Sequence, residues 1–203
     1  MLTPRTRAAI RIGSLLSLAI GLVLFAAPEF AASAFPWTVT PFVAMTIGGW
    51  LLGNGAALWF ASAPGPAPRI MPVLAYVAAF GALELLVVVA FRGALRLDAG
   101  AVLAIPYLLA LGVSLIAAAF GMLELRSSTD IVVSDDEPLP TLDRRLLLGL
   151  LVFVTALAVG GFLAGDGGLS TTGKVFPEPL TLFTVRGFAA FYLALAIGIG
   201  ALL

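Results

Sequence analysis

Eleven basic and eleven acidic side chains are spread along this 203-residue chain, yet only Glu84 and Arg186 fall inside its six long apolar stretches. Those stretches are residues 12–27, 42–62, 70–91, 99–123, 146–164 and 182–203. Most reach the roughly 20 residues that a helix needs to cross a hydrocarbon core about 30 Å thick. A soluble core has no use for six of them. Lipid offers no partners to backbone N–H and C=O groups, so a spanning chain is either helical or a closed barrel. The uninterrupted Leu, Ala, Val and Gly runs lack the two-residue alternation of barrel strands. The expected fold is therefore all-α, a polytopic bundle of six transmembrane helices in contact with membrane lipids.

Composition narrows the chemistry. The chain is 61% hydrophobic and 11% charged, against about a quarter charged in an average soluble domain. Zero net charge and the absence of a basic cluster give no electrostatic footprint for nucleic acid. With no Cys and no His there is no disulfide framework, thiol nucleophile, zinc site or histidine-ligated haem, and no cofactor is expected. Asp135, Asp136 and Glu137 are consecutive and do not converge as an acid and base pair would, so an enzyme is the least favoured class. Arg5, Arg7 and Arg11 before the first stretch, and Ala31, Ala32 and Ser33 after it, give the outline of a signal peptide. The stretch exceeds the roughly 7 to 15 apolar residues of such a segment, however, and is read as the first helix.

Alternating the loops puts Arg5, Arg7, Arg11, Arg69, Arg126, Arg144 and Arg145 on one side and Arg92, Arg96 and Lys174 on the other. Basic residues of short loops stay in the cytoplasm, so both termini are expected there. The acidic and Pro-containing segment 125–145, with Asp130, Asp135, Asp136, Glu137, Pro138 and Pro140, reads as a solvated linker between a four-helix unit, 1–124, and a two-helix unit, 146–203.

The two units share a phrase. Phe35-Pro36-Trp37-Thr38-Val39-Thr40-Pro41-Phe42 returns as Phe176-Pro177-Glu178-Pro179-Leu180-Thr181-Leu182-Phe183, and the same register pairs Gly48 with Ala189, Gly49 with Ala190, Trp50 with Phe191 and Gly53 with Ala194. This predicts a partial internal repeat relating the first two helices to the last two, its copies parallel about an axis along the membrane normal. In each copy the phrase sits where the chain re-enters the membrane. Thr40 before Pro41 has the pattern of a helix cap, and Thr181 would serve the second copy. Trp37 is expected at the headgroup level. Gly49 and Gly53, matched by Ala190 and Ala194, form small-xxx-small pairs, predicting that the second and sixth spans pack through these faces.

Three polar groups lie within the spans. Glu84 is about 10 Å from one end of its helix and Arg186 about 6 Å from the corresponding end of its own, by the rise per residue. Their depths permit an ion pair; the alternative is a neutral Glu84 with Arg186 extended to the headgroups. Asn54 is expected to tie helices together.

The phrase at Phe35–Phe42, followed by Gly49-Trp50-Leu51-Leu52-Gly53, resembles bacterial multi-pass integral membrane proteins, best represented in actinobacteria, that carry FPWPLTPLTAR followed by GAWLLG. The likeness covers roughly residues 5–123. Met45 stands where that phrase has Arg, whereas Arg186 takes the matching place in the second copy. The resemblance implies a bacterial membrane topology and adds no mechanism. Copy one is followed by two more helices and copy two by none before Leu203, so a lost or truncated final pair is expected, with the last helix open to a homo-oligomer or larger complex. The function expected from the residues is that of a non-enzymatic accessory or scaffold subunit of a bacterial inner membrane. The alternative is a small transporter or channel with Glu84 in its path, and a membrane enzyme acting near Trp37 and Lys174 is a distant third.

Overall fold

The structure, a computed structural model, describes residues 2–96, 101–127, 141–165 and 180–203. Lys174, Pro177, the phrase 176–179 and the acids between Asp130 and Glu137 lie outside the described residues. Among the described residues the chain is helical throughout, with seven α-helices, one turn of 3-10 helix at Arg92–Ala94, and no strand. Six helices are long and apolar enough to cross a membrane: α1 (Pro4–Ala26), α3 (Pro41–Ala61), α4 (Ala67–Ala90), α5 (Ala104–Ser127), α6 (Thr141–Leu163) and α7 (Leu182–Gly200). The molecule is a helical membrane bundle.

Its remaining helix, α2 (Pro28–Ala34), was not anticipated. Pro28 halts α1 and opens α2, because proline cannot supply an amide to a continuing helix but fits the first helical turn. Two backbone bonds flank the break: the Ala27 amide donates to Val23 O and the Ala31 amide to Ala27 O. Beyond α2, the Leu103 amide donates to Ala34 O and the Arg96 amide to Pro36 O, fastening this connection to the chain between α4 and α5.

Thr40 and Thr181 open α3 and α7 in the same way, each hydroxyl accepting from the amide three residues on, at 3.3 Å from Val43 and 3.2 Å from Thr184. The spans outrun the apolar stretches at one end of the bundle, where Arg5, Arg7, Arg11, Arg69, Arg126, Arg144 and Arg145 sit on helix termini. There the Thr3 amide donates to Glu124 at 2.6 Å, and Arg11 Nε donates to Ser62 at 3.3 Å. Arg92 and Arg96 lie at the other end, with α2.

The packing order is not the one the small-residue pattern predicts. α1 lies between α3 and α5, α4 between α5 and α7, and α6 runs along α7. The close approach of α3 falls on Gly48 and Gly55, beside Gly49 and Gly53 and on a different face. A Cβ placed on either of those would meet nothing within 4 Å, whereas one on Gly48 would come within 2.6 Å of the Phe25 amide and 2.9 Å of Gly21 O, on α1. Gly55, two turns on, meets Leu18 at 2.6 Å. The expectation for Gly49 and Gly53 is thus corrected: one residue turns a helix by about 100°, and the face that seats α1 is the Gly48 and Gly55 face. Ala190 and Ala194 are fully buried on α7, in the main core. α3 and α7 meet through rings, with Trp50 stacked on Phe191 at a centroid distance of 4.1 Å and a 7° tilt.

Candidate functional site

Trp37 does not turn its ring outward, as an anchor in contact with headgroups would. It is 4% exposed, and its ring packs edge-on against Phe35 at 4.4 Å, Tyr107 at 5.4 Å and Phe183 at 4.3 Å. The correction follows from α2, which turns the phrase inward; Phe35 and Pro36 are buried with it. An aromatic plug therefore closes the bundle end that carries α2. Edge-to-face geometry is the arrangement favoured by the ring quadrupole.

Glu84 lies just beneath this plug. It is 3% exposed on α4, and both carboxyl oxygens would stand 3.4 Å from a Cβ on Gly187 of α7. Arg186 is the neighbouring residue, yet it does not pair with Glu84. Its guanidinium donates to Gly161 O, in the last turn of α6, and, at 2.7 Å, to Ala164 O, just past the end of that helix. Those carbonyls have no helical partner and carry the negative end of the helix dipole, so a cation is well placed there. The expected alternatives, pairing with Glu84 or reaching to headgroups, both miss this, because a backbone acceptor leaves no mark in a sequence. Glu84 itself receives no hydrogen bond among the described residues.

Its carboxyl faces a small cavity walled by Trp37, Trp50, Phe183 and Phe188, into which Thr184 and Tyr107 bring hydroxyl-bearing side chains. The space open to the centre of a water-sized sphere is about 10 Å³, which is room for about one water. One donor in this wall is unsatisfied: the indole N–H of Trp37 is buried and without a partner. Leaving such a group dry costs about 1–3 kcal/mol.

A second cavity of about 10 Å³ lies further into the bundle, with Ser17, Asn54 and Ser114 as its polar groups and Leu51, Gly81 and Leu111 between them. The Tyr76 hydroxyl donates to Asn54 Oδ1, tying α4 to α3. Ser17 and Ser114 share a hydrogen bond at 3.2 Å between α1 and α5, and Ser114 also reaches Gly13 O at 3.3 Å. Ser14 donates to Gly55 O at 2.7 Å. The serines and Tyr107 were not singled out from the sequence. The available signal was their isolation in apolar helices, with Ser14 and Ser17 three apart and so on one face.

No group of three or more acidic side chains that could hold a metal occurs among the described residues. Comparisons of the chain with protein-family models, with curated proteins and with solved structures returned no match.

Proposed function

We propose that this chain is a multi-pass protein of a bacterial inner membrane, without enzymatic activity and with both termini cytoplasmic, that passes protons or an ion no larger than a water molecule at Glu84. The observation that carries the reading is a carboxyl group 3% exposed, facing a cavity, with no protein donor to hold it. Ionisable side chains inside a membrane are rare because burying them costs several kcal/mol, and they mark ion paths and proton relays. Cargo size follows from the space: about 10 Å³ suits a water-sized species and not a metabolite.

The position of the site adds support. Transporters built from parallel repeats hold their ions between the repeats. Here Trp50 and Phe191, which correspond in the register of the two phrases, stack on each other beside Glu84's cavity. The gathering of Arg5, Arg7, Arg11, Arg69, Arg126, Arg144 and Arg145 at one end supports the cytoplasmic assignment of that end.

A second reading, an accessory or scaffold subunit of a larger membrane complex or a homo-oligomer, is favoured by α6. It is the least covered of the six spans, and Leu146, Val152, Phe153 and Leu163 all lie exposed on it. Proton flux decides between them. Protein reconstituted in liposomes with an internal pH dye and an imposed membrane potential should acidify or alkalinise the lumen, and Glu84→Gln should abolish the change while leaving the helical content intact. No flux from either protein, or equal flux from both, would refute the transport reading.

A further inference from the structure

Two buried residues line the same one-water space with opposite needs. Trp37 has a buried N–H without an acceptor, and Glu84 has a carboxyl group to which no described residue donates. A water can satisfy both at once, and a buried water is stable where two to four polar groups meet it; Tyr107 and Thr184, whose hydroxyl also shares a hydrogen bond with Thr181 at 2.9 Å, line the same space. The second cavity continues this one. On α3 the lining steps from Ile47 to Leu51, on α4 from Glu84 to Gly81 and Phe80, and on α5 from Tyr107 to Leu111. Each step is one turn in the same direction, about 6 Å along the bundle. Beyond the second cavity, toward the arginine-bearing end, lie Ser14 and then the Arg11 to Ser62 bond. On the opposite side of Glu84, among the described residues, lies the aromatic plug of Phe35, Trp37 and Phe183.

We infer that the cavity holds a water bridging the Trp37 indole and the Glu84 carboxyl, and that Glu84 exchanges its proton through this water with the arginine-bearing end, by way of the cavity at Ser17, Asn54 and Ser114. In the transfer the carboxyl O–H breaks as the proton joins the bridging water, which gives up one of its own protons to the next hydroxyl or water of the file. Charge and atoms are conserved, and no co-reactant is consumed. Among the described residues the other titratable group on Glu84's cavity is Tyr107 from α5, while Tyr76, two turns away on Glu84's own helix, donates to Asn54. α3 presents rings and aliphatic groups, and α7 presents Thr184, with Arg186 turned away to α6. The inference rests on the transport reading for its purpose but not for its test.

Infrared difference spectroscopy on the full chain in liposomes supplies that test. The Glu84 carboxyl stretch is identified by its loss in Glu84→Gln, and its hydrogen–deuterium exchange is timed after transfer to heavy water. Trp37→Phe keeps a ring and removes the N–H; the stretch should move to higher frequency and exchange should slow about tenfold, one hydrogen bond's worth. Ser114→Val, which fills the second cavity, should slow exchange while leaving the stretch in place. An unchanged stretch in Trp37→Phe overturns the bridging water, and an unchanged rate in Ser114→Val overturns the route. The wild-type protein provides an independent check, because a bridging water must give an O–H band that shifts in oxygen-18 water, and its absence refutes the site whether or not the variants fold. Flux lost in Glu84→Gln with no response to Trp37→Phe leaves transport standing and this relay refuted. The full infrared pattern without wild-type flux does the reverse.

Discussion

The α1/α3 hairpin and the α6/α7 hairpin answer to the same sequence phrase but are held together differently. In the first, backbones touch: Gly48 admits no Cβ because the Phe25 amide and Gly21 O occupy the space. In the second, a Cβ on Gly161 would meet the Ala189 methyl at 2.8 Å, and Ala189 is the residue that corresponds to Gly48 in the register of the phrase. The same position makes the close contact in both, with one methyl added in the second. What the second pair loses in intimacy is offset by a polar clasp, since Arg186 stands where the first has Met45 and seizes the terminal carbonyls of α6. The first pair has no such clasp; there α2 follows α1 directly, its Ala31 amide donating to Ala27 O. A membrane hairpin can thus be fastened by close van der Waals packing or by a cation on a helix terminus, and this chain uses both.

The contrast can be broken at its strongest point by Gly48→Leu. With backbone atoms at 2.6 and 2.9 Å from the first added carbon, relief requires α1 and α3 to part, and the expected loss is about 3 kcal/mol or more, read by reversible unfolding in detergent micelles. Arg186→Leu comes next. It leaves two α6 carbonyls bare and should cost about 1–3 kcal/mol, with protease sensitivity rising in α6 and not in α1; Arg186→Lys should restore only part, as one ammonium cannot reproduce the planar fork. The smallest effect is expected from Gly49→Ala and Gly53→Ala, where nothing lies within 4 Å. Each should stay within about 0.5 kcal/mol of wild type or stabilise slightly through helix propensity. A large loss there would restore the packing face first expected from the sequence.

Much of this architecture was legible in advance. Span number, the caps at Thr40 and Thr181 and the tying role of Asn54 depend on local chemistry: apolar length, a hydroxyl before a helix, an amide among aliphatic neighbours. The misses share another origin. Whether Gly48 or Gly49 meets a neighbour depends on where α1 lies around α3, and nothing local records that angle. Trp37 has the amphipathic ring of an interfacial anchor, and only the unforeseen α2, folding the phrase back over the bundle, turns it inward. In a sequence Arg186 points to an acid, because acids are visible there, while its acceptors are main-chain oxygens that every residue owns. Glu84 was found because its cost in lipid is large whatever surrounds it; its companions Tyr107 and Thr184 could be found only once the helices were in place.

The ring cluster of Phe35, Trp37, Tyr107 and Phe183, joined by Phe91 at 5.6 Å from Phe183, has a mechanical consequence. It draws side chains from the α2–α3 connection, α4, α5 and α7 into one interlocked block, so those helix ends cannot shift singly. At the far end the core is aliphatic, built on Leu2, Ile10, Leu58, Ile70, Leu74 and Leu125, with the polar ties Thr3 to Glu124 and Arg11 to Ser62 at its edge. Interlocked rings resist sliding past one another more than aliphatic side chains do, so relative motion of the helices is held most tightly at the rim that carries α2.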